Sequence, residues 1–418
     1  MMDEIKFKYQ GVARTYQREL LDNWYSGISS AKEKGEKVAY LFISGNIAEL
    51  LRVFNFHLVY PEVNALQCGV KKVAGDFIMK AEDVGYSSDV CGYVKNDVGL
   101  ILSGNKGPFG TLSPPDLLVC TYSGCMTYVK WFEALAKTYG AELFILDVPY
   151  LREGKPTKGD MKYICSQLEE LIEVCERKTG IQYDEDKLKE ILGNSVKAED
   201  LWVDILQSAK NEPSPFDAFF EAVFFMAPIY VLRGTEECVE YYQKAKLEIE
   251  ERIQHKTGPI PEEKFRIVME GPPPWPHFRS FWELFKKWDV CVVASTYSKV
   301  GGIWDFGFRH DPSRPLESIA EYATNCYTNY NWKMRSEMIK SYIDDYHADA
   351  LVIHSVKSCR AFSVGQADAR ERFIREYNVP TLFIESDLAD PRYFSEAQMR
   401  NRIDAFFESL EHRRLVEV

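Results

Sequence analysis

The stretch DLLVCTYSGC, residues 116–125, decides the fold class because it joins an apolar run directly to a turn. Residues 116–120 predict a buried strand, Ser123-Gly124-Cys125 end it, and residues 126–138 continue with helical spacing of apolar side chains. The same pattern precedes it: residues 38–43 predict a strand that ends at Ser44-Gly45-Asn46, with a helix from about Ile47. Strands that alternate with helices predict a parallel sheet, with a third strand at 142–146.

The remainder of the chain predicts two more regions. After residue 154, long charged segments with apolar residues three and four apart predict a helical insert. Strands return at 265–269, 290–294, 350–353 and 381–384, with helices near 277–287, 331–346, 361–376 and 394–410. We therefore predict an α/β protein of two Rossmann/flavodoxin-like parallel-sheet lobes, residues 1–154 and 261–418, with a helical insert at 155–260 between them.

Composition excludes several classes of function. The 418 residues carry a formal charge of -12, which argues against nucleic acid as a partner. No run reaches the roughly 18 apolar residues that a membrane span needs, and the polar start lacks the apolar core of a signal peptide, so we expect a cytoplasmic protein. In that reducing compartment, the ten cysteines are expected to be thiols, metal ligands or catalytic groups rather than disulfides.

Three loops are expected to meet at one crevice. Ser44-Gly45-Asn46, Ser123-Gly124-Cys125 and residues 354–359, from His354 to Cys359, each follow a predicted strand and precede a helix. Ligands of open parallel sheets bind outside the carboxyl ends of the strands. Cys91 lies at another polar-to-apolar boundary, residues 88–94, that is compatible with the start of a helix.

Most single motifs give only weak evidence of function. Buried packing accounts for Cys120, Cys165, Cys175, Cys238 and Cys291, whereas Cys68 and Cys326 stay undecided. No C-x-x-C pair is present, so spacing alone gives a weak indication of an iron-sulfur cluster and none of a zinc site. There is no phosphate-binding loop, residues 104–110 predict a plain turn, and residues 301–312 are equally compatible with a functional loop and a packed turn.

Longer stretches carry a family resemblance. They are YPEVNA (60–65), DVCGYVKNDVG (89–99), YSGCMTYVKWFE (122–133), VVASTYSKVGG (292–302), GFRHDP (307–312), NCYTNYN (325–331), HSVKSCRAFSVGQ (354–366) and ESDLADPRYF (385–394). These stretches resemble the superfamily of benzoyl-CoA reductases and (R)-2-hydroxyacyl-CoA dehydratase components, and within it the B subunits of the class I, ATP-dependent reductases. The resemblance covers nearly the whole chain.

The resemblance implies a 4Fe-4S cluster on Cys91, Cys125 and Cys359, with the fourth iron position open. It implies reduction of benzoyl-CoA by two electrons and two protons to a cyclohexadiene-carbonyl-CoA. The implied partners are the acyl-CoA substrate, a homologous smaller cluster-binding subunit, ATP-hydrolysing activator subunits and ferredoxin as electron donor.

Other residues are assigned to the same crevice. Ser44 and Asn46 are expected near the acyl group because they face the crevice of the cluster cysteines. His354 and His57 are candidate proton donors, and Lys357 and Arg360 are candidates for holding phosphate or stabilising the cluster. Open alternatives are a 2-hydroxyacyl-CoA dehydratase component, a double-cubane protein, a non-catalytic electron-transfer subunit and a cluster-free α/β protein.

Overall fold

The computed structural model describes residues 7–299 and 307–416. Its strands are β1 (Val38–Leu41), β2 (His57–Val59), β3 (Lys106–Gly107), β4 (Gly110–Thr111), β5 (Leu117–Tyr122), β6 (Glu142–Asp147), β7 (Phe265–Glu270), β8 (Val290–Ser295), β9 (Ala350–Val356) and β10 (Thr381–Ser386). Two four-stranded parallel sheets form, in the orders β2-β1-β5-β6 and β10-β9-β7-β8, and β3 pairs with β4 in a small hairpin. The predicted α/β class with two parallel-sheet lobes is confirmed, whereas the domain boundaries stay a prediction.

Helices fill the connections between strands. In the first lobe they are α1 (Val12–Ser30), α2 (Ala48–Val53), α3 (Pro61–Val70), α4 (Ala74–Asp83), α5 (Gly92–Leu102) and α6 (Met126–Tyr139). The middle of the chain contains α7 (Lys158–Thr179), α8 (Glu185–Ser208), α9 (Ala222–Phe225), α10 (Ala227–Val231) and α11 (Glu236–Gln254). The second lobe contains α12 (Phe278–Lys286), α13 (Pro315–Thr324), α14 (Trp332–Asp345), α15 (Arg360–Ser363), α16 (Gln366–Arg375) and α17 (Glu396–Val416).

The single helix predicted at 361–376 is in fact two. Gly365 has a φ of 88°, in the left-handed region, and a Cβ there would lie 2.0 Å from the indole nitrogen of Trp332. Only glycine tolerates both conditions, so the chain breaks between α15 and α16. The break limits the helix that follows Cys359 to four residues.

None of the described helices is long and apolar enough to cross a membrane. One continuous cluster of buried apolar side chains includes residues of both sheets and of the middle helices, for example Leu41 of β1, Trp202 of α8 and Ile353 of β9. The middle helices are therefore packed into the body of the protein.

A buried ion cluster joins these parts. Arg233, between α10 and α11, donates to Glu49 of α2 and to Glu199 of α8, each at 2.8 Å, and His310 Nδ1 lies 2.6 Å from Glu199. All four side chains are without exposed surface. Since the three elements come from distant parts of the sequence, the cluster fixes their relative positions.

Replacing Arg233 by methionine is expected to lower the free energy of unfolding by about 3–5 kcal/mol, because two buried carboxylates lose their cation. Denaturant titration measures the change. The control is Arg375→Met, which removes an exposed pair with Glu371 on α16 and should leave the denaturation midpoint unchanged. Equal midpoints for the two variants would contradict the assignment.

Candidate active site

The three predicted cluster cysteines occupy equivalent positions, each at the start of a helix. Cys91, Cys125 and Cys359 are the N-cap residues of α5, α6 and α15. Cys125 and Cys359 follow β5 and β9, at the carboxyl ends of the two sheets. One sulfur therefore lies at a strand-to-helix connection in each lobe, and the third lies at the start of α5.

The three sulfurs lie near one another. Burial is the main cause that raises the pKa of each thiol, and a neighbouring cysteine is the second cause in every case: Cys359 acts on Cys91, Cys91 on Cys125, and Cys125 on Cys359. The pKa of Cys125 and that of Cys359 rise to about 12. Each cysteine thus interacts with both others, which brings together residues separated by more than 260 positions.

Backbone N–H groups point at each sulfur. Those of Tyr93 and Val94 lower the pKa of Cys91, those of Thr127 and Tyr128 lower that of Cys125, and that of Phe362 lowers that of Cys359. In α5 and α6 the helix dipole adds positive potential at the same end. These donors stabilise thiolates, but burial outweighs them, so the thiolates are expected to form only when a bound cation replaces their protons, which are released to solvent.

Asp387 ties the Cys91 loop to the Cys359 loop. Its carboxylate accepts the backbone N–H of Ser358 at 3.1 Å and those of Ala389 and Asp390 at 2.9 Å each. Ser358 Oγ in turn accepts the N–H of Gly92 at 3.1 Å. Asp387 belongs to the stretch 385–394, and spacing gave no reason to single it out.

A turn at residues 327–329 holds the Cys125 and Ser44 loops. Thr328 Oγ1 donates to the carbonyl oxygen of Ser123 at 2.6 Å and lies 3.3 Å from Ser44 Oγ. Gly124 has a φ of 86°, and a Cβ there would lie 2.1 Å from the Thr328 carbonyl oxygen. Glycine is therefore required immediately before Cys125.

Arg335 of α14 fastens the Cys359 helix to the same turn. This buried guanidinium donates to the carbonyl oxygens of Ala361 at 3.0 Å and of Thr328 at 3.4 Å. The cysteine loops are thus fixed by hydrogen bonds outside the cysteines themselves.

A cavity with about 1260 Å³ of empty space, partly open to solvent, adjoins the cysteines. Its wall includes Ser44, Pro272, Tyr297, Cys359 and Leu388, which follow β1, β7, β8, β9 and β10 respectively. The cavity therefore lies at the carboxyl ends of strands from both sheets, as expected for a parallel-sheet protein. Most of the remaining wall is apolar or aromatic, for example Phe42, Leu66, Val223, Met226 and Phe362.

Glu62 is a polar group in this wall that sequence reasoning missed. It lies in the first turn of α3, and burial raises its pKa to about 8, although hydrogen bonds from Tyr128 and from the backbone of Ile43 oppose the shift. The carboxyl group therefore holds a proton at neutral pH. The stretch YPEVNA contained this residue, but an acidic side chain in a first helical turn is ordinarily a surface feature.

Of the two residues predicted to lie near the acyl group, only one lines the cavity. Ser44 lies in the cavity wall. Asn46 is buried outside it, where Nδ2 donates to the Ile43 carbonyl oxygen and Oδ1 accepts the Ala48 N–H, so its side chain organises the loop.

The candidate histidines and cations lie outside the cavity wall. His354 is fully buried, its two ring nitrogens lie 2.5 Å from the Pro272 oxygen and 2.6 Å from Ser386 Oγ, and burial lowers its pKa to about 4. His57 pairs with Glu36 at 2.8 Å. Lys357 lies over the ring of Tyr393, and it and Arg360 are exposed. The geometry gives a catalytic role for His354 no support, and that role stays a prediction.

The donor set fits a cluster better than a single ion. Within the described ranges, no three His, Cys, Asp or Glu side chains converge as the ligands of one metal ion do. A 4Fe-4S cubane has different requirements, because each cysteine binds a different iron atom and the sulfurs stay apart. Three mutually interacting thiols with backbone donors match this pattern.

None of the remaining cysteines interacts with all three members of the group, although Cys120 interacts with Cys125. Cys120, Cys175, Cys238 and Cys291 are buried in the core, and Cys165 is half-buried on α7. Cys68 is buried beside Asn96, and Cys326 is buried beside the Ser44 loop, where its sulfur lies 2.8 Å from the place that a Cβ of Gly45 would occupy. Cys326 therefore supports the cavity loops as a packed thiol.

Comparisons with known proteins extend over almost the whole chain. The family model described as 2-hydroxyglutaryl-CoA dehydratase, D-component, matches residues 48–410. The chain is 45% identical over 407 residues to the B subunit of benzoyl-CoA reductase from Thauera aromatica, covering 95% of this chain and 94% of that protein. It is 30% identical over 421 residues to the alpha subunit of (R)-phenyllactyl-CoA dehydratase from Clostridium sporogenes, covering 100% of both. It is 29% identical over 406 residues to the alpha subunit of (R)-2-hydroxyisocaproyl-CoA dehydratase from Clostridioides difficile, covering 96% and 97%.

Proposed function

Because the chain belongs to the 2-hydroxyglutaryl-CoA dehydratase D-component family, we propose that it is the cluster-bearing subunit of an ATP-dependent benzoyl-CoA reductase. In this reaction benzoyl-CoA takes up two electrons and two protons and becomes a cyclohexadiene-carbonyl-CoA. The observation that carries the proposal is the largely apolar cavity in which Cys359 and the protonated Glu62 share one wall.

Cys91, Cys125 and Cys359 would hold the 4Fe-4S cluster. When bound, the cluster would supply electrons of low potential to the substrate, with its fourth iron free of a protein sulfur. The backbone donors at each sulfur would raise the cluster's potential by stabilising negative charge, whereas burial would lower it. The hydrogen bonds that Asp387 accepts and that Thr328 and Arg335 donate would keep the three sulfurs in position.

The cavity wall would bind and orient the acyl group. Phe42, Leu66 and Phe362 offer apolar and aromatic surface to a phenyl ring. Exclusion of water by this wall would protect a strongly reduced ring from unproductive protonation.

Glu62 would hold the proton that the reduced ring requires. Its carboxyl group is neutral below pH 8 and lies in the wall of the cavity, so it donates from a fixed position. Tyr128, hydrogen-bonded to Glu62, would stabilise the carboxylate left behind. This assignment replaces His57 and His354 as the preferred donor.

The proposed partners supply the functions for which this chain has no sequence motif. The chain contains no phosphate-binding loop of its own, so ATP hydrolysis would belong to separate activator subunits that pass electrons from ferredoxin, with a homologous smaller subunit completing the complex. A cytoplasmic location is proposed from the reduced thiols that such a site requires.

A 2-hydroxyacyl-CoA dehydratase component is the second candidate. Two of the relatives are alpha subunits of (R)-phenyllactyl-CoA dehydratase and (R)-2-hydroxyisocaproyl-CoA dehydratase, and the Ser44 and Thr328 hydroxyls in the cavity wall would suit a substrate hydroxyl group. The same cysteines would serve both reactions.

An anaerobic assay separates these candidates. The complex is expressed with its partner subunits and supplied with reduced ferredoxin, ATP and either benzoyl-CoA or (R)-phenyllactyl-CoA. We expect the cyclohexadiene product from benzoyl-CoA and no more than slow elimination of water from the hydroxyacyl thioester. Dehydration without ring reduction would establish the second candidate instead.

A further inference from the structure

Three interacting aromatic side chains meet in the cavity wall. The indole nitrogen of Trp275 donates to the hydroxyl of Tyr93 at 2.6 Å, and the hydroxyl of Tyr93 interacts with that of Tyr297. All three side chains lie in the cavity wall. Trp275 and Tyr297 also pack edge to face, with ring centroids 5.8 Å apart.

The chemistry of the groups fixes the direction of these interactions. An indole N–H only donates, so the Tyr93 oxygen is the acceptor and its own proton passes to the next partner. Tyr297 is the hydroxyl next to Tyr93, and the interaction between them is directed from Tyr93 to Tyr297, so the hydroxyl proton of Tyr297 remains for a third group. Glu62 acts on Tyr297 from the same cavity wall, but among the described residues no hydrogen bond runs from the Tyr297 hydroxyl to a protein acceptor.

The three side chains also connect the two lobes at the cysteines. Tyr93 lies two residues after Cys91 on α5, and Tyr297 follows β8 and interacts with Cys359. The backbone N–H of Tyr297 donates to Ser295 Oγ at 3.1 Å, which fixes the start of its turn. The hydroxyl of Tyr297 is therefore held beside the cysteines.

We propose that Tyr297 is a catalytic residue that donates its hydroxyl hydrogen to the thioester carbonyl oxygen of the substrate. This inference rests on the proposed function, and it names the group that stabilises the added charge. In an aroyl thioester, the carbonyl oxygen shares negative charge with the ring after an electron is added. A donor placed at that oxygen binds the reduced substrate more tightly than the ground state, which lowers the barrier. The bonds from Trp275 and Tyr93 polarise the Tyr297 hydroxyl and strengthen its donation.

The test uses the holo complex with the Tyr297→Phe substitution. We expect kcat for benzoyl-CoA to fall by about 10²–10³-fold, as for the loss of one oxyanion donor. KM, iron content and the denaturation midpoint should remain as in the wild type. Tyr93→Phe keeps the Tyr297 hydroxyl and removes the hydroxyl that lies between it and the Trp275 indole, so about a tenfold loss is expected. Tyr139→Phe, which removes a hydroxyl bonded to Asn105 outside the cavity wall, serves as the control without effect.

A substituent series separates donation from mere packing. An electron-withdrawing substituent on the benzoyl ring stabilises the added electron itself, so the loss caused by Tyr297→Phe should shrink for such substrates. A loss of the same size with every substituent, or wild-type kcat in Tyr297→Phe, would overturn the inference while leaving the reductase assignment intact. An inactive wild-type complex that only dehydrates hydroxyacyl thioesters would overturn the proposed function, and this inference with it.

Discussion

Replacing Cys359 by alanine is expected to abolish ring reduction and to remove the iron of the chain while the protein stays folded. Cys359 is one of three sulfurs that interact pairwise, and it also lies in the cavity wall. Two remaining cysteines leave a cubane with two irons unligated by protein, and an alanine at this partly exposed position loses little packing. Iron analysis of the anaerobically purified protein, with the thiolate-to-iron absorption band, measures the loss.

Cys165→Ala provides the matched control for this substitution. Cys165 is half-buried on α7, outside the cavity wall, so its removal should leave iron content and activity at wild-type levels. Cys91→Ala and Cys125→Ala should repeat the loss seen for Cys359→Ala, because each sulfur completes the same set. Wild-type iron in the Cys359 variant would exclude this residue from the site, and with it the proposed chemistry.

The fold was predictable because its main elements have strong local patterns. Residues 265–270 of β7 and 290–295 of β8 are mostly apolar and are buried along their whole length, as expected of strands covered on both faces. β2 escaped prediction because its three residues, His57–Val59, are too few for a pattern to emerge. The break at Gly365 also escaped, because the crowding that requires glycine comes from Trp332, 33 positions earlier in the chain.

The site was predictable only where strand order determines it. Cys125 and Cys359 follow β5 and β9, so the rule for parallel sheets places both at the crevice. Cys91 follows no strand directly, and it was assigned from family resemblance alone. Glu62 and Asp387 depend on contacts between distant segments, Glu62 with Tyr128 and Asp387 with Ser358, which no local pattern encodes. Asn46 lies in the predicted loop, but its side chain hydrogen-bonds to the backbone instead of lining the cavity.

Replacing Glu62 by glutamine is expected to lower kcat by about 10²–10⁴-fold, the usual contribution of a general acid. The amide keeps the shape of the side chain but cannot supply the proton. The sign of the pH effect follows from burial, which raises the pKa of this carboxyl to about 8. The protonated, donating form is complete well below pH 8 and disappears as the pH rises through that value. Wild-type activity should therefore fall above pH 8, and the residual activity of Glu62→Gln should lack this step.

Two measurements make the Glu62 test specific. ATP hydrolysis, followed in the same mixture, gives the pH dependence of electron delivery, and the ring-reduction profile is divided by it. Glu142→Gln is the matched control, because this carboxylate on β6 pairs with Arg177 and Lys178 outside the cavity wall. The control should retain both full activity and the step near pH 8. A Glu62→Gln complex that keeps the same step would assign the titration to another group, since an amide side chain has no proton to lose in this range.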